Sequence, residues 1–426
     1  MQSKQFTVNN YNSFKNKMLN WANRFSIFCL LDNNHYNFET PAFECMLAAG
    51  SKRSIELQEG NAIQSLQSFF EQKPSWLFGH LGYNLKNEIE QLISTKKAPI
   101  DFGNGFFFEP QCLLQLNETT VNIYADGEEQ KIFDHICSLE EQEVQEEVEK
   151  IQVQKVLNKE SYIEIIKKLL AHIKRGDCYE INFCQPFFAN NVSINPVSIY
   201  KRLVLQSPVP FAALYKINNA YCICASPERY LKKTGQELIS QPIKGTSQRN
   251  HSNAQQDEAN ANYLKQSQKE KSENVMVVDL VRNDLSRVCE EGSVYVKELF
   301  GIYSFPQVHQ MISTVAGNLK TNLPFTEAIK ASFPMGSMTG APKKRVMELI
   351  EQYEPVGRGL FSGSIGYINP KADFDFNVVI RSIFYNAEEK LLSFSAGSGI
   401  TFYSEPEKEY EECLMKVEAI EKVLSG

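Results

Sequence analysis

The sequence has 426 residues, and 42% of them are hydrophobic, which is enough apolar material for a large buried core. A formal net charge of −7 argues against a nucleic-acid-binding protein, but it is compatible with a local basic pocket for a small anion. No run of about 18 apolar residues and no signal-peptide core are found, so we expect a cytoplasmic protein without membrane contact. The ten cysteines lack zinc-site spacing and are predicted to be reduced thiols.

Two regions are predicted along the chain. The first combines short helices with buried strands, which the apolar runs place at 26–31, 76–83 and 105–110. A segment dense in Glu and Gln, 140–152, is interpreted as a linker. It divides the chain into an N-terminal region, 1–150, and a second domain, 151–426.

The second region is predicted to alternate helices and strands. Apolar residues at helical spacing predict a helix over 159–174, with Ser161 as its N-cap and Gly176 at its end. Further helices are predicted at 265–278 and 406–424, and strands at 221–231, 362–368, 378–385 and 391–394. The many non-adjacent strands predict an α+β fold, with large antiparallel sheets packed together and helices on the outside.

The C-terminal helix carries two carboxylates on one face. Glu409 and Glu412 are one turn apart, and their repulsion would be relieved by a cation such as Mg²⁺. The alternative is a solvated acidic face. Before the helix, Ser395–Ile400 is predicted to be a loop whose small residues let backbone amides approach an anion.

A third carboxylate, Glu273, stands just before an apolar run and needs a partner there. That partner is either a functional cation or a salt bridge to Lys269 or Lys271.

A lone lysine in the segment Gln241–Thr246 is a candidate nucleophile. Lys244 is flanked by Pro242 and Gly245, and a lysine held away from water has a lowered pKa. Just upstream, Glu228 is a possible general acid. The alternatives are an exposed lysine beside a turn and a surface carboxylate paired with Arg229.

A Gly/Ser/Thr-rich loop, 333–341, leads into a helix with Pro342 near its first turn. The free amides of a helix N-terminus attract a carboxylate or phosphate, but a nucleotide-binding P-loop is not supported because its Gly-Lys-Ser/Thr ending is absent.

The order of these motifs is distinctive. SPER, PIKGT, DLVRNDL, VHQMIST, GSMTGAPKKR, FSGSIGY, VIRS and GSGI with EYEE follow one another along the chain. The series resembles the superfamily of anthranilate, aminodeoxychorismate and isochorismate synthases, which use chorismate. The resemblance is strong from about residue 155 onwards and looser around Gly79–Tyr83.

The resemblance implies a role for each matching position. Glu273 and Glu412 match Mg²⁺ ligands, with Glu409 acting beside them through water. Glu228 matches the general acid for the departing 4-hydroxyl, and His309 matches a histidine near that hydroxyl. The positions that match substrate contacts are Thr246, Thr339, Tyr367, Arg381, Gly397, Ser398 and Gly399.

Lys244 implies the branch of the superfamily. Anthranilate synthases carry alanine at this position, whereas aminodeoxychorismate synthases that resemble this chain carry lysine, which is thought to attack ring carbon 2 of chorismate. Glu180 stands where isochorismate synthases have a water-activating lysine, which argues against that branch, and it departs from the glutamine common in aminating enzymes. No glutaminase motif is seen, so the resemblance implies a separate glutamine amidotransferase subunit that supplies ammonia.

Three hypotheses follow. The first is component I of an aminodeoxychorismate synthase, which aminates chorismate for para-aminobenzoate and folate synthesis. The second is component I of an anthranilate synthase. The third, of another class, is a chorismate-binding protein that has lost its amination activity.

Overall fold

A computed structural model describes residues 3–36, 45–141 and 151–425. Most of the predicted linker, residues 142–150, therefore lies outside the described residues. All ten cysteines are free thiols, as predicted. Within the described ranges, no helix is both long enough and apolar enough to cross a membrane.

The strands of the first half are β1 Ser3–Thr7, β2 Ile27–Asp32, β3 Cys45–Glu56, β4 Leu77–Leu81, β5 Gly105–Leu116, β6 Thr120–Tyr124, β7 Gln154–Lys155, β8 Glu180–Ala189, β9 Phe211–Ile217 and β10 Ala220–Ser226. Those of the second half are β11 Arg229–Thr234, β12 Glu237–Gln241, β13 Ile243–Gln248, β14 Tyr295–Ser304, β15 Val308–Asn318, β16 Gly340–Ala341, β17 Ser364–Ile368, β18 Phe374–Asn377, β19 Ser382–Asn386 and β20 Leu391–Thr401.

The helices are α1 Tyr11–Ala22, α2 Ala62–Gln72, α3 Lys86–Glu90, α4 Glu129–Ser138, α5 Lys159–Arg175, α6 Pro196–Gln206, α7 Ala254–Gln266, α8 Gln268–Ser286, α9 Phe325–Ser332, α10 Lys343–Tyr353 and α11 Pro406–Leu424. Two single 3-10 turns, Tyr83–Leu85 and Gly336–Met338, complete the elements.

The strands pair in two long antiparallel series that share β5. One series runs β1, β6, β5, β3, β2, β9, β10, β19, β20 and β8, with β7 and β16 on β8. The other runs β5, β4, β17, β18, β11, β12 and β15, with β13 and β14 on β15. The predicted α+β class with large antiparallel sheets is therefore confirmed.

The strand β2 illustrates how the core is built. Phe28 and Leu30 enter one apolar cluster, which includes residues of α1, α5, α6 and α11, and Cys29 between them enters a second cluster. Successive side chains of a strand point to opposite faces, so a strand buried on both faces is apolar throughout. This explains the continuous apolar run in the sequence.

Both series cross the predicted domain boundary. Strand β2 pairs with β9, and β4 pairs with β17, so each series joins a block of strands from before residue 150 to a block from after it. The predicted regions 1–150 and 151–426 therefore contribute strands to a shared sheet system.

Several predicted elements differ in their ends. The helix predicted over 159–174 is α5, but its cap is Asn158, whose Oδ1 accepts a hydrogen bond from Ser161 N at 2.8 Å. The single strand predicted over 221–231 is two strands, β10 and β11, with Pro227 between them.

The predicted loop Ser395–Ile400 is wrong. It is the continuation of β20, which pairs with β8 from Leu392 to Thr401. Small residues suit a strand that another backbone approaches closely, so the same composition fits a strand here.

Candidate active site

A buried lysine forms the centre of the site. Lys244 lies on β13, and only 9% of its surface is exposed, so the alternative of an exposed lysine is wrong. Its ammonium group contacts the carboxylate of Glu180, the first residue of β8. Gly399 of β20 lies against this pair: a Cβ atom there would be 2.8 Å from Lys244 Nζ and 3.1 Å from Glu180 Oε1. The missing side chain at Gly399 thus allows the amine and the carboxylate to lie close to the backbone of β20.

The charges around Lys244 set its protonation. Burial lowers the pKa of Lys244, but the neighbouring carboxylates of Glu180 and Glu273 outweigh burial and raise the pKa above its ordinary value. This shift is opposite to the lowered pKa expected from the sequence. Lys244 is therefore charged at neutral pH, and it has to lose a proton before its nitrogen can act as a nucleophile.

A second carboxyl group, Glu228, faces the lysine from the connection between β10 and β11. Its Oε1 accepts a hydrogen bond from Ser337 Oγ at 2.6 Å. Burial raises the pKa of Glu228 to about 7, although Ser337 and Lys244 act in the opposite direction. Arg229, the alternative partner, instead pairs with Asp375, with 2.9 Å between Nε and Oδ1. Glu228 can therefore hold a proton near neutral pH and donate it.

An arginine without an ion-pair partner stands beside this acid. No carboxylate of the described residues lies within 4.0 Å of the Arg381 guanidinium. Burial lowers the pKa of Arg381, whereas Glu228 raises it. Its φ of 50° is in the left-handed region, which is uncommon for a residue other than glycine and clusters at functional sites. A planar guanidinium of this kind suits a substrate carboxylate.

Three glutamates form an acidic group next to Lys244. Glu273 on α8 and Glu409 on α11 are both buried, and Lys269 Nζ lies 3.8 Å from Glu273 Oε1 and 4.0 Å from Glu409 Oε1. Burial raises the pKa of Glu273 to about 7 and also raises that of Glu409. Glu412 is half-buried and pairs with Lys416 at 2.8 Å, which lowers the pKa of Glu412.

The donor atoms of this group fit a hard cation. Glu273 Oε1 and Glu409 Oε2 are buried without a hydrogen-bond partner in the described part of the chain, and carboxylate oxygens are the ligands that Mg²⁺ prefers. No group of three or more His, Cys, Asp or Glu side chains in those ranges converges closely enough to hold a metal ion as it stands. Lys269 lies between the two buried carboxylates instead, which agrees with the salt-bridge alternative for Glu273.

Two of the predicted substrate contacts on β20 have neighbours other than Lys244. The hydroxyl of Ser398 lies 3.2 Å from the Tyr162 hydroxyl of α5, on the helical side of the strand. A Cβ atom at Gly397 would be 2.5 Å from both Cys184 Sγ and Phe183 O, so this glycine allows close contact with β8. Of the three predicted residues on β20, Gly399 therefore lies nearest to the reacting groups.

The contacts of the two predicted threonines are with backbone groups of the protein. Thr339 Oγ1 donates to Met335 O at 3.0 Å, and Thr339 O accepts from Asn182 N at 2.7 Å, so Thr339 fixes the loop that carries Ser337. Thr246 is exposed and pairs with Gln310 of β15.

Tyr367 lies in different surroundings. Its ring packs against Trp76 and Phe78, with centroids 5.6 and 6.0 Å away. It lines a cavity of about 40 Å³ with Asp32 and Asp375, and neither Lys244 nor Gly399 lines this cavity. Burial raises the pKa of Tyr367 well above its ordinary value, so the phenol stays neutral.

His309 is held on both ring nitrogens. Nδ1 lies 2.8 Å from Ser304 Oγ and Nε2 lies 3.1 Å from Asp257 Oδ1 of α7. The structure does not bring it to Lys244, and its predicted role stays a prediction that these contacts do not support. The next residue, Gln310, points to the other face of β15, and its buried Oε1 has no partner in the described ranges.

Two residues of the site were missed because only the folded chain reveals them. Ser337 was predicted only as part of an anion-binding loop, yet it binds the acid Glu228. Arg358 ties the site together: its guanidinium donates to Met338 O at 2.7 Å and Asn182 O at 2.8 Å, and it pairs with Glu354 at 2.6 Å. An isolated arginine in a sequence gives no signal for such a role.

Known proteins resemble this chain along most of its length. It is 38% identical over 265 residues to the aminodeoxychorismate synthase component 1 of Bacillus subtilis, covering 62% of this chain and 56% of that protein. It is 41% identical over 265 residues to the chloroplastic aminodeoxychorismate synthase of Arabidopsis thaliana, covering 62% of this chain and 28% of that protein. An anthranilate synthase component I-like protein of Synechocystis is 32% identical over 360 residues, with 82% and 73% covered. The matches span less than two thirds of the two aminodeoxychorismate synthases.

Solved structures share the fold at lower identity. Anthranilate synthase component I of Streptococcus pneumoniae superposes with a TM-score of 0.78 at 23% identity, covering 91% of this chain and 94% of the other. The menaquinone-specific isochorismate synthase of Escherichia coli gives 0.77 at 15% identity, covering 100% and 94%. The sequence pattern of chorismate binding enzymes matches residues 28–422, which confirms the resemblance found from the motifs. The chain belongs to the chorismate binding enzymes.

Proposed function

We propose that the protein aminates chorismate to 4-amino-4-deoxychorismate, a precursor of para-aminobenzoate, as a component I enzyme. The observation that carries the proposal is the amine of Lys244, which is buried against the backbone of Gly399 and lies within the field of the acid Glu228. The printed names of the Bacillus subtilis and Arabidopsis thaliana relatives support the same reaction.

The proposed reaction has two displacements. Lys244 Nζ, as the neutral amine, forms a bond to ring carbon 2 while both conjugated ring double bonds shift and the bond from carbon 4 to its hydroxyl breaks. Glu228 gives its proton to that hydroxyl, which leaves as water. Ammonia then bonds to carbon 4, both double bonds shift back, and the bond to Lys244 breaks. The ionised Glu228 takes up the proton that the new amine releases. Covalent catalysis thus replaces one difficult substitution by two easier ones.

The remaining charges orient the substrate. In this proposal Arg381 binds one of the two chorismate carboxylates through its planar fork. Glu273, Glu409 and Glu412 would hold Mg²⁺, which supplies positive charge for a substrate carboxylate. Lys269 would then move from between the carboxylates, and its long flexible side chain allows this.

We also propose that ammonia comes from a separate glutamine amidotransferase subunit and that the protein acts in the cytoplasm. The first part is supported by the words component 1 in the names of bacterial relatives, which imply a second component.

A product assay tests the proposal. The purified protein is mixed with chorismate, Mg²⁺ and ammonium, and the product is identified by chromatography and mass. We expect aminodeoxychorismate, and we expect Lys244→Ala to reduce its formation to background because the nucleophile is lost. Fluorescent anthranilate as the product would assign the second hypothesis instead, and wild-type turnover by Lys244→Ala would refute the covalent step. Tight chorismate binding without turnover, even with an amidotransferase added, would favour the third hypothesis.

A further inference from the structure

The proton of Lys244 has one near acceptor. Among the described residues, the only carboxylate within 4.0 Å of Lys244 Nζ is that of Glu180. The other titratable groups that act on Lys244 from the elements around it lie farther away: Glu270 and Glu273 from α8, Glu412 from α11, and Glu228 from the β10–β11 connection. Glu228 has to keep its own proton for the departing hydroxyl, so it is not free to accept another.

The carboxylate of Glu180 is held in place but incompletely bonded. Its backbone pairs with Thr401 of β20 on one side and with Ala341 of β16 on the other. Only 1% of Glu180 is exposed, and its Oε2 has no hydrogen-bond partner in the described part of the chain. Oε1 is in contact with Lys244. The Glu180 carboxylate can therefore accept a proton from Lys244 through Oε1, because few hydrogen bonds stabilise its charged form.

We propose that Glu180 is a catalytic base that accepts the Nζ proton of Lys244 and releases the neutral amine for attack on the substrate. The inference rests on the proposed function, because it requires Lys244 to be the nucleophile. The proton passes from Nζ to Glu180, and the freed electron pair forms the bond to carbon 2. When ammonia later expels the lysine, the amine leaves neutral and recovers the proton from Glu180, so neither group is changed after a cycle.

The surroundings favour this transfer when substrate is bound. An ion pair in water is stabilised by hydration of both charges, and this stabilisation is lost in a dry site. Lys244 and Glu180 are only 9% and 1% exposed, and a substrate ring bound against them would exclude the remaining water, which lowers the cost of forming a neutral amine and a neutral carboxyl group. The acceptor is already in contact with the donor, so no rearrangement is needed.

The test uses Glu180→Gln, which keeps the shape but removes the base, and Glu180→Asp, which keeps the carboxylate on a shorter chain. Each full-length variant is mixed with chorismate and Mg²⁺ without ammonium, and the reaction is stopped with acid. The covalent adduct is then measured by mass spectrometry of the intact protein. Steady-state formation of the aminated product is measured in parallel. Asp284→Asn is the matched control, because it removes a buried carboxylate from another lysine, Lys343, at 2.6 Å.

We expect Glu180→Gln to form the adduct about 10²-fold more slowly than wild type at about pH 7. The deficit should shrink as the pH rises, because Lys244 then loses its proton to solvent. Glu180→Asp should retain part of the wild-type rate, and Asp284→Asn should retain nearly all of it.

Three outcomes would overturn the proposal. A wild-type adduct rate for Glu180→Gln at about pH 7 would show that the attack of Lys244 requires no base at this position. This conclusion would hold even if the KM for ammonium rose in the same variant. A loss without recovery at higher pH, in a variant that folds, would mean a structural role. Product formation by wild type without any Lys244 adduct, or by Lys244→Ala, would remove the covalent step itself, and this failure is separate from the first two.

Discussion

The close approach of Lys244 to Gly399 provides a direct test of the site. In Gly399→Ala, the new Cβ would stand 2.8 Å from Lys244 Nζ, whereas ordinary contact begins at 3.4 Å. The ammonium would therefore have to retreat by at least about 0.6 Å, the difference between these two distances. Because Nζ is the far end of a flexible side chain, the fold can absorb this shift, and we expect stability to change by no more than about 1 kcal/mol.

The catalytic effect should be much larger. A displacement of about 1 Å from the reactive geometry costs on the order of 10²-fold in rate, and here the displaced atom is the nucleophile. We therefore expect kcat to fall by about 10- to 100-fold in the chorismate amination assay. Mg²⁺ binding should change little, because the new Cβ would be 3.9 Å from Glu273 Oε2, which is ordinary contact.

Gly397→Ala is the matched comparison on the same strand. There the new Cβ would meet the backbone oxygen of Phe183 at 2.5 Å, which cannot move aside cheaply. We expect this variant to lose about 1–3 kcal/mol of stability in chemical denaturation. A Gly399→Ala protein with wild-type kcat would refute the assignment of the Lys244 amine to the reaction.

Three further predictions follow from the other groups of the site. Because burial raises the pKa of Glu228 to about 7, the acid loses its proton as the pH rises through 7. We therefore expect kcat/KM for chorismate, measured at constant free ammonia, to fall above that pH. The Glu228→Gln variant should be slower by about 10²- to 10⁴-fold, and its rate should lack this decline. A decline of the same shape in Glu228→Gln would assign it to another group. Glu412→Ala should abolish the Mg²⁺-dependent activity and weaken Mg²⁺ binding in calorimetry, whereas Glu411→Ala, at an exposed position on the same helix, should leave both unchanged; unchanged Mg²⁺ binding in Glu412→Ala would contradict the ligand assignment. Arg358→Met should destabilise the protein by about 3–5 kcal/mol, because it leaves Glu354 buried and unpaired, and unfolding in urea measures this loss; a loss below about 1 kcal/mol would show that the pair is dispensable.

Local patterns in the sequence predicted two of the three helices closely. The helix predicted over 265–278 is wrong in its bounds, because α7 ends at Gln266 and α8 runs from Gln268 to Ser286. The helix predicted over 406–424 has those bounds, and the helix predicted from 159 ends one residue later than expected. In both, apolar spacing and a terminal Pro or Gly are local signals, so the sequence near the helix is sufficient. The loop predicted for Ser395–Ile400 was wrong, because small residues are common both in loops and in strands that another backbone approaches closely.

The contacts between residues of the site were harder to predict than the motifs that contain these residues. Lys244 and Glu180 are 64 positions apart, and their contact depends on how β8, β13 and β20 meet. No local signal encodes such a meeting. His309 illustrates a second limit: a strand places neighbouring residues on opposite faces, so an uncertainty of one position moves a predicted side chain to the wrong face. Gln310 is the residue on the other face.

The pairing of β4 with β17 has a consequence for how the protein is made. Leu81 pairs with Ser364, so β4 must wait on the ribosome until residue 368 has been synthesised and has left the exit tunnel. During this time, the edge of β4 that faces away from β5 lacks its final partner, and exposed strand edges attract other chains. Such distant pairing also makes folding slow. We therefore expect newly made chains to depend on chaperones that shield these strands. Overproduction at high temperature should yield aggregates, and chains that end before β17 should not fold.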